Sequence, residues 1–285
     1  INLAGSSRQC NTLSTCTFIH KMNYQLSISA ISHSFGTKKI LENIGFECRT
    51  GNITGLFGRN GCGKSTLLNI LFGTLNPVSG SIRINGEILR NNITRKQIGY
   101  SHQEIFLPQN ISVRNVIPLY FPDGAEQNKI FYSPGIHNME TTKVGNLSLG
   151  EQRYLQFLLI IHLNHPFVLL DEPFSMVEPV YREIIKEKIR ELQVVKGFII
   201  TDHYYKDVLD IATKKLLMAS GKIIPVNDEY DILTHFVYLN CTALAGCILR
   251  LTNEGINKVS VHTNKVPATT SNTSHHIILT GTTSI

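Results

Sequence analysis

The chain contains no tryptophan and little charge: only 17% of its 285 residues are Asp, Glu, Lys or Arg. It also lacks an uninterrupted apolar run of the roughly 18 residues that a membrane-spanning helix requires. The nearest approach, residues 236–251, is too short and includes Asn240 and Arg250. Its six cysteines form no CxxC pair, which argues against a zinc site or a disulfide framework. No concentrated Lys/Arg stripe of the kind that follows a nucleic-acid backbone is present. The net charge of +6 is dispersed, because residues 22–240 hold 22 basic against 20 acidic side chains. What is there is apolar. At 42% hydrophobic, the chain can bury a substantial core and is not disordered throughout. A soluble, cytosolic protein is the expectation, built as one large domain or as one domain with appendages.

The two ends differ from the middle. Residues 1–21 are rich in Ser, Thr and Asn, precede Met22 and hold no apolar stretch of signal-peptide length. They read as a leader outside the fold. Residues 241–285, where 13 of 45 positions are Ser or Thr, read as a poorly ordered tail rather than an accessory domain.

Between them, strand and helix patterns alternate. Residues 24–31 alternate apolar and polar as a half-buried strand does. Residues 46–48 and 53–57 flank a Thr50-Gly51-Asn52 turn and read as a hairpin. A helix is expected over 64–75 and a short strand over 81–84. Residues 105–146 mix Pro, Gly and short apolar pieces, as an inserted, partly helical subdomain would. Residues 167–170 form a continuous apolar run suited to a buried parallel strand. Pro179 opens a helix whose apolar face is read as Val180, Ile184, Ile185, Ile189 and Leu192, and 198–200 returns as a strand. This order predicts an α/β fold with a largely parallel sheet.

Residues 58–66, GRNGCGKST, fit GxxxxGK[ST], follow an apolar strand and open a helix. Glycines let backbone N–H groups curl around a phosphate, and the helix N-terminus adds its positive dipole end. Lys64 can then reach the β- and γ-phosphates while the Ser65 hydroxyl ligates Mg²⁺. Cys62 within this loop reads as a small filler, or as an oxidation-sensitive thiol should the helix end lower its pKa. The run 167–173, FVLLDEP, places Asp171 and Glu172 at the C-terminal edge of the sheet, where open α/β sheets bind ligands. Asp171 would serve the Mg²⁺ shell; Glu172 would orient or deprotonate the attacking water.

With these two motifs in place, residues 22–240 resemble the ATP-binding-cassette (ABC) ATPases. Leu147-Ser148-Leu149-Gly150-Glu151-Gln152 is similar to the family's LSGGQ signature, with Leu149 and Glu151 departing from it. Gln103 matches the Q-loop glutamine, residues 175–179 stand where the D-loop belongs, His203 matches the switch histidine, and Phe35 matches the aromatic that stacks on adenine. Glu178 replaces the usual D-loop aspartate. Asp202 reads as a solvated or capping neighbour of His203.

The resemblance implies a P-loop NTPase: a RecA-like core with a mostly parallel sheet, an antiparallel β subdomain, and an inserted α-helical signature subdomain over about 105–160. It implies ATP and Mg²⁺ as cofactors. Phe35, Gly58, Asn60, Gly61, Cys62, Gly63, Lys64, Ser65, Thr66 and Gln103 would hold nucleotide, and Ser65, Gln103 and Asp171 the metal. Glu172, His203 and Lys64 would be catalytic. Ser148, Gly150 and Glu151 would face the nucleotide of a second ATPase subunit. Ser148 followed three residues later by Glu151 is also a capping box, and the two roles can coexist. The expected assembly is an ATPase subunit paired with another, on the cytoplasmic face of a separate transmembrane permease that docks near Gln103 and residues 105–117, without nucleic acid. Two alternatives stand beside it: a weakly or non-hydrolysing regulatory subunit of a heterodimer, and a soluble ABC ATPase unconnected with transport.

Overall fold

The structure, a computed structural model, describes residues 23–89 and 97–226, with Ile232 and two short strands beyond. The leader expected over 1–21 lies outside the described residues. So does most of the tail after 240, apart from Cys247–Arg250 and Ser260–Thr263, which pair with each other antiparallel.

β1 (Gln25–Phe35) and β2 (Lys38–Arg49) pair antiparallel and are followed by β3 (Ile53–Phe57). Along β1, Leu26 and Ile28 face inward; Ala30 then takes a left-handed conformation, and the resulting bulge turns Ile31 and His33 to the same face. α1 (Lys64–Phe72) stops three residues earlier than its apolar pattern suggests. Gly73 enters the left-handed region and its N–H donates to Asn69 O and Ile70 O, closing the helix. β4 (Ser79–Ile84), β5 (Glu87–Ile88) and β6 (Ile98–Ser101) come next. The insert then supplies α2 (Val113–Tyr120), α3 (Gly124–Phe131) and α4 (Ile136–Met139). A 3₁₀ turn over Val144–Asn146 leads into α5 (Leu149–His162). β7 (Phe167–Asp171), α6 (Pro179–Leu192), β8 (Gly197–Thr201), α7 (Tyr205–Ile211), β9 (Lys214–Ala219) and β10 (Lys222–Pro225) complete the main body.

One sheet is antiparallel, ordered β2-β1-β4-β5; the central one runs β10-β9-β3-β8-β7-β6 and is parallel except at the β10 edge. The hairpin expected across Thr50–Asn52 is therefore corrected, because β2 belongs to the first sheet and β3 to the second. All five β3 residues are buried, whereas β2 alternates buried and exposed residues over its second half. A strand covered on both faces belongs inside a parallel sheet; one with a wet face belongs to an antiparallel layer.

β3, β7 and β8 send successive side chains to opposite cores. Leu56, Leu169 and Ile199 pack with α1 and the antiparallel sheet; Phe57, Leu170 and Ile200 pack with α5, α6, α7 and the insert. Each fully buried side chain of this size contributes about 1.5–3 kcal/mol, so the central sheet is the stiff element of the molecule. Val180 does not join the inward face of α6 and is 69% exposed. It lies about 140° around the helix from Ile185 at 3.6 residues per turn. The C-terminal edges of β3, β7 and β8 thus open onto the loops that begin at Gly58, Glu172 and Asp202.

Candidate active site

The buried apolar β3 delivers the chain into the glycine-rich loop, and α1 begins at Lys64 with Gly63 as its N-cap. No side chain caps this helix start and no acid lies in its first turn, which leaves backbone N–H donors and the positive dipole end for an anion. The Lys64 ammonium is buried and donates to Gly58 O at 2.7 Å and Arg59 O at 3.1 Å, so it lies folded across the loop. A cavity of about 480 Å³ opens over this helix start, lined by Asn60, Gly61, Gly63, Lys64, Ser65 and Thr66. Its opposite wall is Gln103, Glu172 and His203, with Lys38 and Ile40 of β2 at the margin.

Glu172 is the centre of that wall. Its backbone is left-handed (φ 56°), and its N–H donates to Thr201 O at 2.7 Å, which fixes the turn out of β7. One carboxylate oxygen lies 2.7 Å from His203 Nε2; the other accepts from Gln103 Nε2 at 2.9 Å. Two residues from separate loops, Gln103 and His203, therefore converge on the Glu172 carboxylate, which lines the same cavity as Lys64 and Ser65.

Asp171 is placed differently. It is buried behind the cavity wall, accepting from Thr201 Oγ1 at 2.6 Å and from Tyr100 OH at 3.2 Å. Burial and the Asp171 charge push the Tyr100 phenol well up, so it remains a donor. Phe35 is 55% exposed at the end of β1, meets His33 edge-on and does not line the cavity. Gly58 and Cys62 also stand outside the lining, and the Cys62 N–H is used within the loop, donating to Arg59 O at 3.2 Å.

A family model described as ABC transporter matches residues 41–175. An uncharacterized ABC transporter ATP-binding protein of Methanocaldococcus jannaschii is 29% identical over 227 residues, covering 76% of this chain and 83% of the relative. The lipopolysaccharide export system ATP-binding protein of Haemophilus influenzae is 27% identical, covering 73% of this chain and 92% of its own. Among solved structures, an ATP-binding subunit of an ABC transporter superimposes with a TM-score of 0.67 at 20% identity, covering 76% of this chain and 99% of that one. A nucleotide-free cassette from an ABC transporter gives a TM-score of 0.64 at 21% identity, covering 75% and 95%. Over its cassette, this chain is similar to the ATP-binding subunits of ABC transporters.

For an ABC cassette, its signature segment is unusual in sequence but well formed. Ser148 Oγ accepts from Glu151 N at 3.2 Å, and Glu151 Oε2 accepts from Ser148 N at 2.8 Å, a complete capping box that starts α5. Ser148, Gly150 and Glu151 lie outside the cavity that holds Lys64. Leu149 projects from the first turn, 43% exposed.

Cys62 is not the activated thiol weighed from the sequence. Burial pushes its pKa up and outweighs the nearby Lys64 ammonium. Alkylation of Cys62 by iodoacetamide at neutral pH, followed by peptide mass mapping, is therefore expected to run several-fold slower than that of a free thiol. Rapid labelling would contradict this.

Three side chains around the site carried no motif. Asp202 is not solvated: 5% exposed, it accepts from Phe174 N at 2.7 Å, Tyr204 N at 2.8 Å and Ser175 Oγ at 3.3 Å. Its bond from Tyr204 N closes the turn just before α7, whose start has no side-chain cap. Arg182 on α6 donates from Nε to Val177 O at 2.9 Å and lays its guanidinium 3.9 Å over the Tyr204 ring. Arg153 on α5 donates to Glu172 O at 3.3 Å and Ser175 O at 3.1 Å. Asp202 adjoins His203 in sequence, which was a usable signal. The two arginines had none, because their partners are carbonyls from distant loops.

Proposed function

We propose that this cassette hydrolyses MgATP between two ATPase subunits and drives a separate membrane subunit. The cassette proper spans 22–240, with its helical subdomain over about 105–160. The observation that supports hydrolysis is the convergence of His203 and Gln103 on Glu172, opposite Lys64 across one cavity. Loop N–H groups and the Lys64 ammonium bind the β- and γ-phosphates, and Phe35 stacks on adenine beside Lys38 and Ile40. Glu172 takes the proton of the attacking water as its oxygen bonds to the γ-phosphorus. His203 steadies the γ-phosphoryl oxygens while the bond to the ADP oxygen breaks.

The donor set fits magnesium. A hydroxyl at Ser65, an amide at Gln103 and a carboxylate at Asp171 are hard oxygen ligands, and the described residues contain no cluster of three His, Cys, Asp or Glu that would suit a softer metal. Asp171, held by Thr201 and Tyr100, would contribute its carboxylate to the metal site. When bound, the ion would supply charge neutralisation at the phosphates.

Ser148 and Gly150 would meet the nucleotide of the opposite subunit at the N-terminus of α5. No helix among the described residues is long and apolar enough to cross a membrane; in this reading the pore is formed by a separate membrane subunit. That permease docks near Gln103 and residues 105–117 and holds the cassette at the cytoplasmic face.

A weakly hydrolysing regulatory subunit is the second reading. It is favoured by the exposed Leu149 in the signature and by Glu178, which caps α6 without a side-chain bond. Light scattering of the intact Glu172→Gln chain decides: its mass should double on adding MgATP. A monomer that binds ATP without pairing would favour the regulatory subunit.

A further inference from the structure

The loop after β7 begins and ends in strain. Glu172 (φ 56°) and Met176 (φ 60°) are both non-glycine residues in the left-handed region, a conformation that persists only where surroundings impose it. Helix α5 touches the carbonyl of each. Arg153 Nη1 donates to Glu172 O at 3.3 Å and to Ser175 O at 3.1 Å. At the other end, Gly150 approaches so closely that a Cβ there would lie 2.9 Å from Met176 O.

The Arg153 contact is not optimised for stability. Its Nε–H is buried with no acceptor among the described residues, and its bond to Glu172 O is long at 3.3 Å. A buried donor left over in this way calls for an explanation other than stabilisation. A guanidinium with an unused donor can redistribute its bonds when its helix shifts by a few tenths of an ångström. Beyond the Glu172 kink, the side chain has both oxygens engaged, by His203 and by Gln103. A small rotation at φ of Glu172 moves that carboxylate away from one partner or the other.

We propose that Arg153 is a positioning residue coupling the first turn of α5 to the Glu172 carboxylate, so that a phosphate engaged at Ser148 and Gly150 resets Glu172 in the same chain. The inference rests on the paired-subunit reading above and names its regulation. Arg153 lies five residues beyond Ser148, about 7.5 Å along the helix axis at 1.5 Å per residue, within one rigid segment. Displacement of the helix start by an anion is delivered at Arg153 with little loss. Because α5 of one subunit faces the nucleotide of the other, each site's Glu172 answers to the neighbouring site's occupancy. The coupling is reciprocal, as thermodynamic linkage requires.

The test compares the intact chain with Arg153→Met, which keeps the packed stem, and Arg153→Lys, which restores a donor. Turnover against ATP concentration should be sigmoidal in the unaltered protein, with a Hill coefficient approaching about 2, and should fall toward about 1 in Arg153→Met with an intermediate value in Arg153→Lys. Hydrogen exchange with a non-hydrolysable MgATP analogue gives a second readout. Protection over 172–177 should appear in the unaltered chain and vanish in Arg153→Met, while protection over 58–66 is kept in both. A Hill coefficient and 172–177 protection unchanged in Arg153→Met overturn the coupling, even if melting temperature or maximal rate falls. Absence of ATP-dependent protection over 58–66 in the unaltered chain overturns the nucleotide-site reading itself, and the coupling with it.

Discussion

Glu172→Gln is expected to reduce phosphate release from MgATP by about 10²–10⁴-fold, the range over which a positioned general base contributes. The exchange is nearly isosteric. A glutamine at 172 keeps an oxygen that can accept from Gln103 Nε2 or face His203 Nε2, the two contacts at 2.9 Å and 2.7 Å. What it loses is the capacity to take a proton. The left-handed turn is held by the backbone, through Glu172 N to Thr201 O and Arg153 to Glu172 O, so the loop has no reason to refold. Binding, which depends on Lys64 and the helix start, should change by less than a few-fold. A rate that fell only slightly would mean that Glu172 is not the base, and the regulatory reading would gain. His203→Ala should also slow turnover, but by less, because it removes one phosphate contact and leaves the base in place.

The second large effect is on stability. Asp202→Ala is expected to lower the melting temperature, followed by circular dichroism because the chain has no tryptophan to report, by about 4–8 °C. Three donors lose their acceptor, two of them backbone N–H groups at Phe174 and Tyr204. Leaving them unpaired costs on the order of 3 kcal/mol, of which roughly 1 is returned by removing a desolvated carboxylate.

The same burial has a signature in pH. It holds the Asp202 carboxyl above the ordinary aspartate value of 3.8, against the hydrogen bonds that lower it. The folded chain therefore binds this proton more tightly than the unfolded one. Its contribution to stability is fully present below the unfolded value and is lost as pH rises through the raised native value. Urea midpoints measured upward from that ordinary value should fall more steeply in the unaltered protein than in Asp202→Ala. Equal slopes would show that the carboxyl titrates normally. Because Asp202 ties Phe174 and Ser175 to the residue after His203, turnover should fall together with stability.

Much of this architecture was readable in advance, and each success has a local cause. The stretch GRNGCGKST after an apolar strand specifies its own loop and helix start, because glycines, the Lys and the strand context all lie within a dozen residues. The capping box at Ser148 and Glu151 is likewise encoded three residues apart and formed as the pattern suggests. The failures are equally instructive. The Thr50–Asn52 turn has hairpin chemistry, yet joins two different sheets, since which strand receives β3 depends on β8 and β9 far along the chain. Val180 matches an apolar residue type but points away from its core, because the helix phase is set by Ile185 and Ile189.

By itself, then, the amino-acid order determined the phosphate loop, the acidic strand end, the capping box of α5 and the resemblance to ABC ATPases. All of these are written in residues close together in sequence, where backbone geometry and spacing act directly. Only the tertiary structure decided that Asp171 lies behind the cavity with Tyr100 and Thr201 while Glu172 enters it, that the Cys62 thiol is pushed up rather than activated, and that Asp202, Arg182 and Arg153 tie three loops together. Those outcomes depend on burial and on backbone carbonyls brought within about 3 Å by packing of the central sheet. A carbonyl has no side-chain identity, so a contact made to it leaves no mark in the sequence.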